Sequence, residues 1–210
     1  MTTRVFIADD HEVIRLGLRA LLQGSGIEVV GEASSGDKVL DLVAELRPHI
    51  ALVDVRLPRM DGLRVLNQIR TQEPDVQVVM MSAYDNPTFV ARSVALEAAA
   101  YLLKTASRAK IIDTLRKVAD GENAWTRDEL RRVTGALTTP RIANDIEVPL
   151  THRESEVLEQ LAFGHTNKEI AQKLTISYET VKEHVQHILR KIGVSDRTQA
   201  AVWAVRKGLV

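Results

Sequence analysis

The sequence predicts an α/β domain built on a doubly wound parallel sheet, followed by a smaller all-α domain. Three observations predict it. In residues 1–123 five short apolar runs alternate with five stretches of helical spacing. In residues 150–210 the apolar positions recur at helical spacing between cap-like residues. The apolar runs of the first part also end, at four of five places, in a residue able to do chemistry: Asp9-Asp10, Asp54, Ser82 and Lys104.

The first run is Val5-Phe6-Ile7-Ala8, a strand, and Ile14, Leu18, Leu21 and Leu22 then mark a helix that stops near Gly24-Ser25-Gly26. Residues 28–32 carry polar members, as an edge strand would. A helix through Val39, Leu40, Val43 and Leu46 ends before Pro48, whose ring disfavours helix in the residue ahead of it. Ile50-Ala51-Leu52-Val53 runs straight into Asp54 and is apolar at every position, the pattern of a strand buried on both faces. A Pro/Asp/Gly turn follows, then a helix through Leu63, Leu66 and Ile69. Residues 76–81 form the fourth strand, Phe89, Val90 and Val94 a helix, Tyr101-Leu102-Leu103 the last strand, and Ile111, Leu115 and Val118 the last helix. Five β–α repeats in one domain's length favour a parallel sheet with right-handed crossovers.

A parallel sheet brings all its carboxyl ends to one edge, where open α/β sheets bind ligands. Asp9, Asp10 and Asp54 therefore converge, and three carboxylates together repel one another unless a cation is present. A hard divalent ion with oxygen ligands is the natural partner, and Mg²⁺ favours carboxylates together with phosphate oxygens. Lys104 adds a second positive charge and Ser82 a hydroxyl that can reach a phosphoryl oxygen. Together they describe a site for a phosphoryl group on Asp54. Taken singly, each residue reads equally well as an ordinary strand-end residue, and Asp54 as a helix cap.

The whole segment resembles the receiver domain of bacterial two-component response regulators. The resemblance rests on the paired acids, on Asp54 followed by Leu57-Pro58 and Asp61-Gly62, on Ser82-Ala83, and on Tyr101-Leu102-Leu103-Lys104. It implies a flavodoxin-like (βα)5 fold with Asp54 as the phosphoacceptor, attacking a phosphohistidine on a partner sensor histidine kinase. It further implies that Asp10 contacts Mg²⁺ directly, Asp9 through water, and Arg56 through its backbone carbonyl. Ser82 becomes the switch hydroxyl, Tyr101 the aromatic that moves with it, and Lys104 the cation on the transferring oxygens. The family usually has glycine before the aromatic, whereas this chain reads Glu97-Ala98-Ala99-Ala100, so a positive φ there would be strained. Arg56 and Tyr84, each two residues past a site residue, are large enough to shield a phosphoryl group from water.

Residues 124–149 read as a linker with a short helical stretch near 127–137 and an exposed run, 138–145; Trp125 reads as a core residue. Thr151-His152-Arg153-Glu154 and Thr166-Asn167-Lys168-Glu169 are capping boxes that open two helices. Ser177 caps a third, with Val181, Val185, Ile188 and Ile192 inward and Gly193 closing it. Ser195 or Asp196 opens a fourth, ending at Gly208. Two short helices joined by a tight turn form a helix-turn-helix, with Lys182, Glu183 and Gln186 pointing away from the apolar stripe. Those side chains suit base edges in a major groove, and suit an ordinary solvated helix face equally well.

Residues 150–210 also resemble the LuxR-type helix-turn-helix. The matching residues are Leu150-Thr151 with Arg153-Glu154, Asn167-Lys168-Glu169-Ile170-Ala171, Thr180-Val181-Lys182 with His184, and Arg197-Thr198 with Ala200-Ala201. The resemblance implies a recognition helix from about 178 to 191, with Lys182, Glu183 and Gln186 facing bases and Thr180 among the DNA-facing residues. Lys168, Lys191 and Arg197 would contact phosphates, and the helix around Val202 and Val205 would join two copies on double-stranded DNA. Receiver plus this module is the NarL/FixJ arrangement.

Composition narrows the alternatives. With 28 basic and 28 acidic residues the chain is neutral, but residues 1–123 hold 15 Lys/Arg against 17 Asp/Glu and residues 150–210 hold 9 against 7. That division permits nucleic-acid binding by the second domain without proving it. The chain has no cysteine, which excludes disulfides, thiolate metal sites and cysteine nucleophiles. The N-terminus lacks a signal-peptide pattern and no apolar run reaches spanning length, so a cytoplasmic protein without membrane contact is expected. His184 and His187 have a helical ligand spacing that nothing acidic completes. An aspartyl phosphatase of the haloacid-dehalogenase type would place a second Asp where Arg56 stands, and an enzymatic output domain has no room; a regulator rather than an enzyme is expected.

Overall fold

The structure is a computed structural model that describes residues 2–122, 124–131 and 150–209. These fall into two compact units: one of residues up to Asp85 with Leu96–Thr126, the other of Asn86–Ala95 with the residues from Arg127 onward. Most of the expected linker lies outside the described residues; 127–131 are helical.

The strands are β1 (Thr3–Ala8), β2 (Ile27–Ala33), β3 (Ile50–Asp54), β4 (Gln77–Ser82) and β5 (Ala100–Leu103), all parallel in the order β2-β1-β3-β4-β5. The helices between and after them are α1 (Glu12–Leu22), α2 (Val39–Leu46), α3 (Gly62–Gln72), α4 (Pro87–Ala95) and α5 (Arg108–Ala119). Strand order reverses between β1 and β3, which opens a crevice at their carboxyl ends. The partly polar β2 is an edge strand, as its sequence predicts, and β3 is buried at all five positions.

Alternation along the strands makes two apolar faces. On one, Val5, Ile7, Ile50, Leu52, Val79, Met81 and Leu102 pack against Leu18 and Leu22 of α1 and Ile111, Leu115 and Val118 of α5. Phe6, Ala51, Val53, Val78 and Met80, the alternate residues, are equally buried on the face where α2 and α3 lie. Each such Leu, Ile or Phe contributes about 1.5–3 kcal/mol over an exposed position. Trp125 is half-buried and its indole donates to Ala98 O at 2.8 Å.

The left-handed residue ahead of β5 is Glu97, at φ 59°, and none of Ala98, Ala99 and Ala100 has a positive φ. The anticipated strain at the alanines therefore does not arise; a cost of about 1 kcal/mol falls on Glu97 instead. Arg70 Nη2 lies 3.5 Å from the Glu97 carboxylate, and Ala99 N donates to Val78 O at 2.8 Å.

Besides α4, the second unit carries α6 (His152–Ala162), α7 (Asn167–Leu174), α8 (Tyr178–Ile192) and α9 (Arg197–Arg206). Both capping boxes form: Thr151 N donates to Glu154 Oε2 and Thr166 N to Glu169 Oε2, each at 2.7 Å. Asp196, rather than Ser195, caps α9, accepting from Thr198 N and Gln199 N at 2.8 and 2.9 Å. Val157, Leu158, Leu161, Ile170, Val181, Ile188, Ile192, Ala200 and Ala204 form the core.

Glu154 does more than cap. It is buried, and Lys191 of α8 donates to its Oε2 at 2.6 Å, tying the start of α6 to the end of α8. Burial alone would raise its carboxyl, but Lys191 and the Thr151 amide and hydroxyl outweigh that and hold it at about 2. A carboxyl held below its unfolded value of 4.5 adds stability above that pH and loses it as pH falls towards 2. The expected loss is about 2–3 kcal/mol, half-exposed Lys191 being partly screened. Urea unfolding followed by Trp203 fluorescence in a Trp125→Phe background should show this acid slope in the parent and a flatter one in Glu154→Gln. Identical slopes would remove Glu154 as the titrating group.

Candidate functional site

The carboxyl edge of the sheet gathers the chemistry. Asp54 is the last residue of β3 and is 5% exposed, Asp9 follows β1 and is 1% exposed, and Ser82 ends β4, also at 1%. Register explains the convergence: Ala8 pairs with Val53, Asp54 with Met81, and Ser82 with Leu103, so Asp9 and Lys104 are the next residues out on flanking strands. Lys104 N donates to Ser82 O at 2.7 Å, and its Nζ reaches back to Asp54 Oδ2 at 2.6 Å and Asp9 Oδ2 at 2.7 Å.

The turn after β3 holds the carboxylate from below. Arg56 N donates to Asp54 Oδ1 at 3.3 Å, and Gly62 N to Val55 O at 3.0 Å. Asp61 caps α3 through Leu63 N at 2.9 Å. A Cβ on Gly62 would lie 1.8 Å from Asp54 O, so only glycine lets α3 begin this close to the strand end. Ser82 Oγ accepts from Tyr84 N at 3.1 Å, and Tyr101 OH donates to Tyr84 O at 3.0 Å. Tyr101 is buried, which pushes its hydroxyl up to about 12 and keeps it protonated. At the rim, the Arg56 guanidinium stands 5.3 Å from the centre of the Tyr84 ring, a cation–π pair beside Asp54 and Ser82.

Burial pushes the Asp54 carboxyl above the ordinary carboxylate range; Lys104 opposes this and the Asp9 charge adds to it. Burial alone would lower Lys104, but its bonds to Asp54 and Asp9 outweigh that and raise it, so the ammonium persists at neutral pH. One ligand atom from each of Asp9, Asp10, His11 and Asp54 fits within 4.8 Å of the others. Three carboxylates against one ammonium leave negative charge in excess, and this oxygen-rich donor set fits a hard divalent cation.

In the helical unit, α8 buries Val181, Ile188 and Ile192 and exposes Lys182, Glu183 and Gln186. Ser177 Oγ accepts from Thr180 N at 3.0 Å, with Thr180 Oγ1 2.8 Å from the same oxygen, so Thr180 is part of the helix cap. Lys182 Nζ is 3.6 Å from Glu179 in an exposed pair worth under about 1 kcal/mol. Lys168 is exposed at the start of α7. Lys191 is engaged by Glu154, and half-buried Arg197 donates to His165 O at 2.5 Å.

Residues 5–116 match the family described as response regulator receiver domain, and residues 148–204 match bacterial regulatory proteins, luxR family. The chain belongs to the response regulators with a LuxR-type DNA-binding domain. It is 39% identical over 211 residues to the transcriptional regulatory protein LiaR of Bacillus subtilis, covering 99% of each chain. It is 36% identical to the response regulator protein VraR of Staphylococcus aureus over the full length of both. Among solved structures it is similar to the response regulator ChrA of a heme-sensing two-component system, at 30% identity, full coverage of both chains and a TM-score of 0.55. A structure described as two RcsB dimers bound to two parallel DNAs shares the fold at 24% identity, 99% coverage of both and a TM-score of 0.62.

This response regulator is thus a transcription regulator of a two-component system, not an enzyme, and among its described residues no helix is long and apolar enough to cross a membrane. Two residues near its sites were not singled out by sequence reasoning. Arg190 is exposed and extends the Lys182 and Gln186 row by one more turn, an i, i+4, i+8 signal present in the sequence. His11 enters the acidic cluster, for which the sequence offers only adjacency to Asp9-Asp10.

Proposed function

We propose that Asp54 is the phosphoacceptor of this response regulator and that its phosphorylation by a sensor histidine kinase gates dimerisation and sequence-specific DNA binding. The supporting observation is the buried Asp54 carboxylate paired with Lys104 at 2.6 Å inside a ring of further carboxylates at the strand ends. Asp54 attacks the phosphorus of a phosphohistidine; the new O–P bond forms as the P–N bond breaks, and the imidazole leaves with the bonding pair. Lys104 offsets charge on the transferring oxygens, as a preorganised cation does without reorganisation. Asp9, Asp10, Asp54 and the Arg56 carbonyl would hold Mg²⁺, which supplies further charge neutralisation when bound. Ser82 Oγ exchanges its bond from Tyr84 N for the phosphoryl oxygen, and Tyr101, bonded to Tyr84 O, follows.

We further propose that the Arg56–Tyr84 pair, 5.3 Å from guanidinium to ring centre, slows hydrolysis by keeping attacking water from the phosphoryl group. Arg56→Ala and Tyr84→Ala should each shorten the phosphorylated lifetime several-fold; unchanged decay in both would remove this role.

Residues 1–123 are assigned as the phosphoacceptor domain, 124–149 as the linker and 150–210 as the DNA-binding domain, working in the cytoplasm. Lys182, Glu183 and Gln186 read base edges, Thr180 supports the start of the recognition helix, and Lys168, Lys191 and Arg197 attend the phosphates. The dimeric, DNA-bound RcsB structure supports a homodimer on double-stranded DNA. Selection of genomic fragments by the purified protein tests this. Gln186→Ala or Lys182→Ala should cost about 1–3 kcal/mol on the selected site and relax its consensus at one position. Retention of the same fragments by both variants, with unchanged affinity, would reject direct readout by this face.

A further inference from the structure

Glu32 places a carboxylate near the end of the edge strand β2, where strand propensity disfavours it. Its side chain takes two arginines from α1: Arg15 Nε donates to Oε2 at 3.2 Å and Arg19 Nε to Oε1 at 3.0 Å. The two arginines stand one helical turn apart and so share a face. Register puts Glu32 beside Ile7, two residues before Asp9. Arg15 spans that distance, because its Nη1 donates to Asp9 O at 2.7 Å. Asp9 N donates to Ala33 O at 3.1 Å. The main chain of Asp9 is thus tied to β2 twice, once by the ladder and once through Arg15 and Glu32. The Asp9 carbonyl belongs to the planar peptide unit that carries Asp10 N, so holding its oxygen fixes where the Asp10 side chain sets out. The two acids differ in their need for this. The Asp9 carboxylate is buried and anchored by Lys104 Nζ at 2.7 Å, whereas the Asp10 side chain is 37% exposed.

We propose that Arg15, held by Glu32, is a positioning residue: it fixes the Asp9–Asp10 peptide and so presents the Asp10 carboxylate to a divalent cation. The inference rests on the reading of the acidic cluster as a cation site. A guanidinium suits the task, since its planar fork holds a carboxylate and a carbonyl at once, whereas an ammonium is a point charge on a flexible stem. The Arg15 and Glu32 side chains are 16% and 19% exposed, which screens the pair less than a surface pair. Arg15 acts on a cation in two opposed ways. Its charge repels the ion, and its bond to Asp9 O orders the ligand. Glu32 neutralises the first effect, while partners that orient a metal ligand are worth about ten- to a hundredfold in affinity, so ordering wins.

The test titrates Mg²⁺ calorimetrically into the full chain, without any phosphodonor, for wild type, Arg15→Lys, Glu32→Gln, the double variant and Asp10→Ala. Arg15→Lys keeps the charge and loses the fork, so it should weaken Mg²⁺ about tenfold. Glu32→Gln should weaken it less, and the double variant should match Arg15→Lys within about twofold, because the two residues act as one unit. Phosphoryl incorporation from acetyl phosphate by Arg15→Lys should need more Mg²⁺ for half its rate yet reach the wild-type maximum at saturation. A loss of stability alone would not produce that split. Unchanged or tighter Mg²⁺ binding in Arg15→Lys, or a lowered maximum rate with unchanged Mg²⁺ dependence, would overturn the proposal. Wild type that binds no Mg²⁺, or binds it no better than Asp10→Ala, would overturn it together with the cation-site reading. Asp10→Ala that loses Mg²⁺ while Arg15→Lys keeps it overturns the proposal and leaves that reading standing.

Discussion

Asp54→Asn is expected to abolish phosphoryl incorporation from acetyl phosphate, a fall of at least about a hundredfold, while leaving the fold intact. The amide keeps the size of the carboxylate and can still meet Lys104 Nζ through its oxygen, 2.6 Å away in the parent. It also removes one of the three clustered negative charges, and burial already disfavours that charge. Thermal stability without divalent ions should therefore hold or rise, and the loss will be chemical rather than structural. Lys104→Ala should keep the nucleophile but slow incorporation by about a hundredfold, the scale seen when one preorganised charge is deleted from a transition-state site. Intact-mass measurement of phosphorylated protein against time reads both variants. Normal incorporation in Asp54→Asn would move the phosphoacceptor elsewhere.

Gly62→Ala is expected to destabilise the first unit by roughly 3 kcal/mol, although alanine is the better helix former. Gly62 is the first residue of α3, and a Cβ there would meet Asp54 O at 1.8 Å and Val55 O at 3.0 Å. Both neighbours are backbone atoms at and just past the end of β3, so they cannot rotate aside as a side chain could. Either α3 withdraws, breaking the Gly62 N to Val55 O bond, or Asp54 shifts from Lys104. Gly17 provides the control: it lies within α1 with nothing within 4 Å of a Cβ, and Gly17→Ala should stabilise by about 1 kcal/mol. Urea denaturation of the two variants gives opposite signs if backbone approach, not helix propensity, dictates glycine at 62. A destabilisation under about 0.5 kcal/mol in Gly62→Ala would contradict it.

The sheet and most of the acidic site were legible because they rest on local patterns. The unbroken apolar run into Asp54 marks a central strand, and alternating β–α spacing sends Asp9, Asp54, Ser82 and Lys104 to one edge without knowledge of strand order. Capping boxes at Thr151 and Thr166 located two helix starts by a rule that spans four residues. What escaped depends on contacts between distant residues. The Glu154–Lys191 ion pair joins positions 37 apart, and nothing in either helix's own pattern requires it. Glycine at 62 read as a turn residue, whereas its reason is the proximity of the Asp54 carbonyl. The left-handed position ahead of β5 falls on Glu97, one residue before the alanines under suspicion, because loop geometry and not composition decides which residue takes the bend.

Operator affinity measured by fluorescence anisotropy bears most directly on the central claim. Wild type and Asp54→Ala are compared on a selected site, with and without acetyl phosphate and Mg²⁺, at fixed salt. The account predicts that wild type alone tightens, by about tenfold or more, on phosphorylation. Affinity that stays equal across all four conditions would contradict it, separating the carboxylate at the end of β3 from the helices that meet DNA.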